Sequence, residues 1–148
     1  MQQVKMKTIR EINIGDKASY SKTLTEADVY MYAGIIGDFN PARVNEEYAK
    51  KTFYKTRLAH GLLFASYISK IIGTDFPGPG TIHVSQEMHW LKPALIGETI
   101  TTLIEVTKID GKRNRVWIDV ICKNQNGEIV LKGEGEIMPP TEDMKGAF

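Results

Sequence analysis

The chain has 148 residues, which suits one domain able to bury roughly two thirds of its unfolded surface. Its 19 basic and 18 acidic residues nearly cancel, which argues against a nucleic-acid partner. Cys122 is the single cysteine, so no intrachain disulfide is possible. Met1–Lys5 has no apolar signal core and no run of ~18 apolar residues spans a membrane, so a cytoplasmic protein with no membrane association is expected.

Residues 26–73 read as helical and residues 80–138 as strands. A further strand near Lys17–Thr23 would join a sheet edge. Thr25 is an N-cap with acids in the first turn behind it. The helix it opens runs through Val29-Tyr30-Met31-Tyr32-Ala33-Gly34-Ile35-Ile36 and is apolar nearly all round, which predicts burial. Gly37 stops it, and Asn40-Pro41 takes the chain out of helix. Asn45 caps a second short helix from Glu46 to about Thr52. A third helix, Gly61–Ile72 closed by Gly73, is so apolar that it belongs inside a wrapping sheet. The loop Asp75–Gly80 follows. Strands are expected at about 81–91, 98–109, 114–124 and 128–138, with turns at Asp110-Gly111 and Asn126-Gly127. The third alternates Val116, Ile118, Val120 and Cys122 against Trp117, Asp119 and Ile121. The fold class is therefore α+β: a single domain over 1–148, its core at about 10–138, with a long antiparallel sheet around one apolar helix. The tail from Pro139-Pro140 reads as polar and loose.

The chemistry concentrates at Gly37-Asp38-Phe39-Asn40-Pro41-Ala42-Arg43. Asp38 is either a carboxylate aimed at a ligand or only a helix-ending acid. Arg43 is always protonated and cannot act as a general base. No CxxC, HExxH or phosphate-loop glycine pattern is present.

These segments, in this order and spacing, carry a family resemblance. They are Thr25-Glu26-Ala27-Asp28, then Ala33-Gly34-Ile35-Ile36-Gly37-Asp38-Phe39-Asn40-Pro41, then Ala59-His60-Gly61-Leu62-Leu63-Phe64-Ala65-Ser66, with Gln86 and Leu91-Lys92-Pro93-Ala94-Leu95-Ile96-Gly97-Glu98-Thr99. From about residue 10 to 138 the chain resembles the MaoC-like, (R)-specific enoyl-CoA hydratases of the hot dog fold. The Gly-Asp-x-Asn-Pro loop followed by Ala-His-Gly is specific in combination.

The resemblance implies a helix from Gly61 inside the curled sheet and sheets paired edge to edge in a homodimer or higher even oligomer. It implies a trans-2-enoyl thioester substrate, of coenzyme A or an acyl carrier, and no metal or redox cofactor. The backbone N–H of Gly61 would receive the thioester oxyanion, glycine letting the thioester come close. Asp38 matches the acid of an Asp/His dyad that moves the protons. The His position of that dyad is Arg43. With the usual mechanism, losing one acid–base group costs roughly 100- to 10,000-fold in rate. An Arg43 facing the site would also lower the pKa of Asp38.

Three readings of Arg43 stand: altered catalysis with Asp38 alone activating water, a non-catalytic thioester-binding subunit paired with a dyad-bearing paralogue, or a substitution introduced in this chain. A thioesterase, known in the same fold, is disfavoured by the Gly-Asp-x-Asn-Pro loop. Asn40, His60 and Ser69 are the candidate substrate-binding residues. His60 either replaces the missing base or plays a structural part. Ser69 either orients the thioester or, like Ser66, only bonds back to its helix. Phe76-Pro77-Gly78-Pro79 would line an acyl pocket. His83 and His89, six apart on a strand, would share one face but stand about 20 Å apart, too far for a metal pair. Lys112, Arg113 and Arg115 form a hairpin tip or attract coenzyme A phosphates.

Overall fold

The computed structural model describes residues 5–146; Met1–Val4, read above for a signal core, and the tail end Ala147–Phe148 lie outside the described residues. Five antiparallel strands form one sheet: β1 (Lys17–Thr23), β2 (Ile82–Trp90), β3 (Thr99–Asp110), β4 (Arg115–Lys123) and β5 (Ile129–Met138). Their spatial order is β1-β3-β4-β5-β2. The period-2 pattern places Val116, Ile118, Val120 and Cys122 of β4 on the inner face with Ile100, Thr102, Ile104 and Val106 of β3. Against that face lie α4 (Gly61–Ala65) and α5 (Tyr67–Lys70). Phe64, Ile68 and Ile71 are among the largest side chains buried there. Burying each contributes about 1.5–3 kcal/mol. The sheet curled around one apolar helix is the hot dog arrangement that the resemblance implies.

Hairpin chemistry is local. Asp110 Oδ1 accepts from the backbone N–H groups of Lys112 and Arg113, turning β3 into β4. Asn124 Oδ1 does the same for Asn126 and Glu128, and Gly127 supplies the positive φ, 77°. In the basic turn, Arg115 is held by Glu136 at 3.1 Å across the β4–β5 ladder.

Four expectations are corrected. The first helix, α1 (Glu26–Ile36), is not buried all round. Only one stripe turns inward, Val29 and Ala33 with half-buried Tyr32, while Ile35 is 80% and Met31 60% exposed. The remaining apolar side chains of the helix have no neighbour among the described residues to cover them. The central helix does not stop at Gly73 either. It widens into a π-type turn over Ile71–Asp75, closed by the Phe76 N–H on Ile71 O at 2.9 Å. It is also nicked at Ser66, whose hydroxyl donates back to Leu63 O at 2.5 Å.

His83 and His89 do not share a face. A bulge between His83 and Ser85 shifts the register, so His83 pairs with inward Ile137 and His89 with exposed Lys132. Their contacts differ accordingly: Gln86 Oε1 lies 3.0 Å from the His83 ring and Glu87 Oε1 2.7 Å from the His89 ring.

The C-terminal segment is not loose as far as it is described. Pro139 and Pro140 are buried, and the Thr8 hydroxyl donates to Glu142 Oε1 at 2.6 Å. Lys145 pairs with Glu11 at 2.9 Å and Glu142 at 3.2 Å. The Lys145 contact, helped by the Thr8 N–H, pulls the Glu11 carboxyl from 4.5 down to about 2. A lowered folded-state pKa means the contact contributes fully above about pH 4.5 and is lost as pH falls toward 2. Amide protection at Thr8–Glu11 and Thr141–Lys145 should therefore decline across that window in a hydrogen-exchange titration. Protection constant down to pH 2 would contradict the clasp.

Candidate active site

The loop after α1 is shaped by its own side chains. Gly37 ends the helix in the left-handed region, at φ 78°, with its N–H on Ala33 O at 2.8 Å. Asp38 Oδ1 then accepts from Asn40 N at 3.0 Å, and Asn40 Oδ1 from Ala42 N at 2.9 Å. The second bond caps α2 (Pro41–Val44), with Pro41 in its first turn, where its fixed φ is already helical. Asn40-Pro41 thus leaves one helix and starts another. Asn45 repeats the device, accepting from Tyr48 N at 3.0 Å to cap α3 (Glu46–Ala49), which ends short of the expected Thr52.

This geometry leaves Asp38 Oδ2 unused by the loop. Its side chain is 43% exposed, and Oδ2 stands 3.7 Å from His60 Nε2. The closer contact of that nitrogen is the Asp38 carbonyl oxygen at 3.0 Å. A carbonyl only accepts, so Nε2 carries the proton and donates. Nδ1, on the other side of the ring, is buried and without a partner among the described residues. His60 is 3% exposed, and the Tyr32 ring meets it edge-on at 5.2 Å. His60 therefore stands behind the Asp38 loop and ties it to the start of α4.

Arg43 points elsewhere. Its Nη1 donates to Ala59 O at 2.8 Å, and it forms no ion pair with Asp38 or any other acid among the described residues. Its Nε is buried without a partner among the described residues. The segment it grips is held from two more sides, Leu58 N on Ala42 O at 3.2 Å and Ala59 N on Ala94 O at 2.9 Å. Gly61 follows at the first position of α4. A Cβ on Gly61 would stand 2.6 Å from Trp90 Nε1 and 3.1 Å from two ring carbons. The missing side chain thus makes room for an indole, a packing requirement the sequence reading did not include.

A cleft of about 370 Å³ opens at this point. Arg43, Leu58, Gly61, Phe64 and Trp90 line it; Asp38 and His60 do not. The structure therefore gathers the expected residues into two adjoining groups, Asp38 with His60 and Arg43 with Gly61, joined through Ala59-His60-Gly61. Asn40 serves the loop through its cap. Ser69 is exposed on α5, one turn beyond back-bonded Ser66. The Phe76–Pro79 loop lies away from this cleft, where Pro77 O accepts from Lys7 N at 2.8 Å. Trp90 was missed by sequence reasoning. Its only signal was a tryptophan at the end of a strand, before Leu91-Lys92-Pro93.

Known proteins resemble the chain closely. A family model described as MaoC like domain matches residues 10–125. The chain is 42% identical over 130 residues to an (R)-specific enoyl-CoA hydratase of Rhodospirillum rubrum, covering 88% of this chain and 90% of that protein. It is 33% identical over 133 residues to a 3-hydroxybutyryl-CoA dehydratase of Methylorubrum extorquens, covering 90% and 84%. Among solved structures, an unliganded R-hydratase of Pseudomonas aeruginosa superposes with a TM-score of 0.87 at 38% identity, covering 91% and 86%.

Proposed function

The chain belongs to the MaoC-like family, and from that premise we propose that it is an (R)-specific enoyl-thioester hydratase, equally a 3-hydroxyacyl-thioester dehydratase in reverse. The observation that carries this reading is the Asp38 carboxylate, held by its own loop with one oxygen free, a single residue contact away from the start of α4. The substrate is a trans-2-enoyl thioester of coenzyme A or an acyl carrier.

In this reading Asp38 takes a proton from water as the water oxygen bonds to the β-carbon. The π electrons move toward the thioester carbonyl, whose developing negative charge the Gly61 N–H meets. Asp38 then returns the proton to the α-carbon, so it is unchanged over the cycle. Arg43 takes no part in proton transfer, because a guanidinium does not release a proton near neutral pH. His60 positions Asp38 through the carbonyl bond. The apolar surface of α1 and the loop, with Met31, Ile35, Ile36 and Phe39 exposed, suits cover by a second copy, in keeping with a homodimer.

Arg43 also favours a second reading, a thioester-binding subunit that works beside a dyad-bearing partner. Both are tested by following the enoyl-thioester absorbance of crotonyl-CoA and longer enoyl-CoA substrates with the parent and with Arg43→His. Hydration by the purified parent is expected, and Arg43→His should accelerate it on these uncharged acyl groups, by roughly 100- to 10,000-fold for a restored acid–base group. An inert parent and an active Arg43→His would favour the binding subunit. Hydration by neither variant would remove the hydratase reading.

A further inference from the structure

Arg43 brings a fixed charge into a cleft where no acid among the described residues pairs with it. No acidic side chain among the described residues lines the cleft, and Leu58, Phe64, Trp90 and Leu91 supply the apolar part of its walls. The other cation there, Lys92, is already engaged by Glu128. Arg43 spends Nη1 on Ala59 O, and this sets the rest of its geometry. Nη1 is the nitrogen on the Cδ side of the guanidinium. Nε and Nη2 therefore form the opposite edge, the two-pronged fork that matches a carboxylate. Neither has a partner among the described residues, and Nε is buried. A buried donor without a partner costs stability, and closing an apolar acyl chain over an unpaired cation costs more.

We propose that Arg43 makes this cleft a site for acyl thioesters whose acyl group ends in a carboxylate, the Nε/Nη2 fork taking that carboxylate while the thioester sits at Gly61. The inference rests on the thioester-binding reading above and names its substrate class. Engaging both prongs needs a change of the Arg43 rotamer that brings the buried Nε to the cleft and gives up the Nη1 bond to Ala59 O. Arg43 then acts as a specificity residue: the position that the family gives to a base reads charge on the substrate. The volume of about 370 Å³ suits a short dicarboxylic half-thioester beside part of the pantetheine arm.

The test measures equilibrium binding, so it stands whether or not the protein turns over. Butyryl-CoA and succinyl-CoA differ by a terminal methyl against a terminal carboxylate. Calorimetry on the parent should show succinyl-CoA bound roughly 10- to 100-fold more tightly, the range of a charge-assisted hydrogen-bonded pair. Arg43→Met should abolish or invert the ratio. Arg43→Lys should keep a smaller preference, a point charge without the fork. Because the ratio is internal to each protein, a variant of lowered stability does not distort it. Equal binding of the two thioesters by the parent, or a preference that survives in Arg43→Met, overturns the proposal. Equal binding is also the result if a carboxylate from another subunit fills the fork. Should Arg43→Met fail to fold, the parent ratio and Arg43→Lys decide. If succinyl-CoA wins but no enoyl thioester is hydrated, the site stands and the hydratase reading fails; hydration with equal binding gives the converse.

Discussion

Replacing Asp38 with asparagine should lower enoyl-thioester hydration by roughly 100- to 10,000-fold, the usual worth of a general acid–base group. The substitution is sharp because of how Asp38 is built in. Its Oδ1 accepts from Asn40 N at 3.0 Å, and the amide oxygen of asparagine can accept the same bond. The loop is kept while the basic oxygen is lost. Expected results are an unchanged melting temperature, a large fall in kcat and a KM that moves little. A variant with parental kcat would show that Asp38 is only a helix-ending acid. A fall in kcat matched by a fall in stability would place its role in folding. Arg43, turned toward Ala59 O, is not in position to replace the lost base, and a guanidinium has no basic form to offer.

Gly61→Ala should damage both the fold and the reaction. The new methyl would stand 2.6 Å from Trp90 Nε1, closer than packed atoms allow. Overpacking of this kind costs about 1–3 kcal/mol, moderated here because Trp90 is partly exposed and can shift. In a chain of this length that is a fall in Tm of roughly 2–4 °C for each kcal/mol. The rate should drop further, on the order of 100-fold, since displacement of a positioned group by about 1 Å has that effect. Pairing the change with Trp90→Val separates the two causes. The double variant should recover the melting temperature, because the colliding ring is gone. Recovery of the rate as well would mean that only packing was at stake. Parental stability and rate in Gly61→Ala alone would refute the requirement for glycine.

The fold was largely legible because its signals are local. Alternation at Val116, Ile118, Val120 and Cys122 located β4, and Lys17–Thr23 emerged with the bounds expected of it. The Thr25 cap was equally plain, since Asp28 three residues later completes a reciprocal pair. What failed to show was whatever depends on the number of neighbours an element has. The apolarity of α1 predicted burial, but only the stripe through Val29 and Ala33 finds neighbours that cover it. The His83–His89 spacing misled because one bulged residue reverses every face beyond it. At the site, residue types marked Asp38, Arg43 and Gly61, while orientation stayed hidden. Nothing in the order of residues says that Arg43 turns to Ala59 O, that His60 faces the Asp38 carbonyl, or that Trp90 fills the space Gly61 leaves. Those are contacts across 16, 22 and about 30 positions of chain.

The run of short-range bonds from Gly37 to Asn45 has an evolutionary consequence. Asp38, Asn40 and Asn45 each secure the backbone within three residues, and none of these bonds involves the side chain of residue 43. Position 43 is therefore decoupled from the shape of the segment that presents it. A lineage can exchange an imidazole for a guanidinium there without rebuilding the segment, and so try a new chemical preference on an inherited scaffold. The caps make the neighbourhood evolvable by confining the experiment to a single side chain.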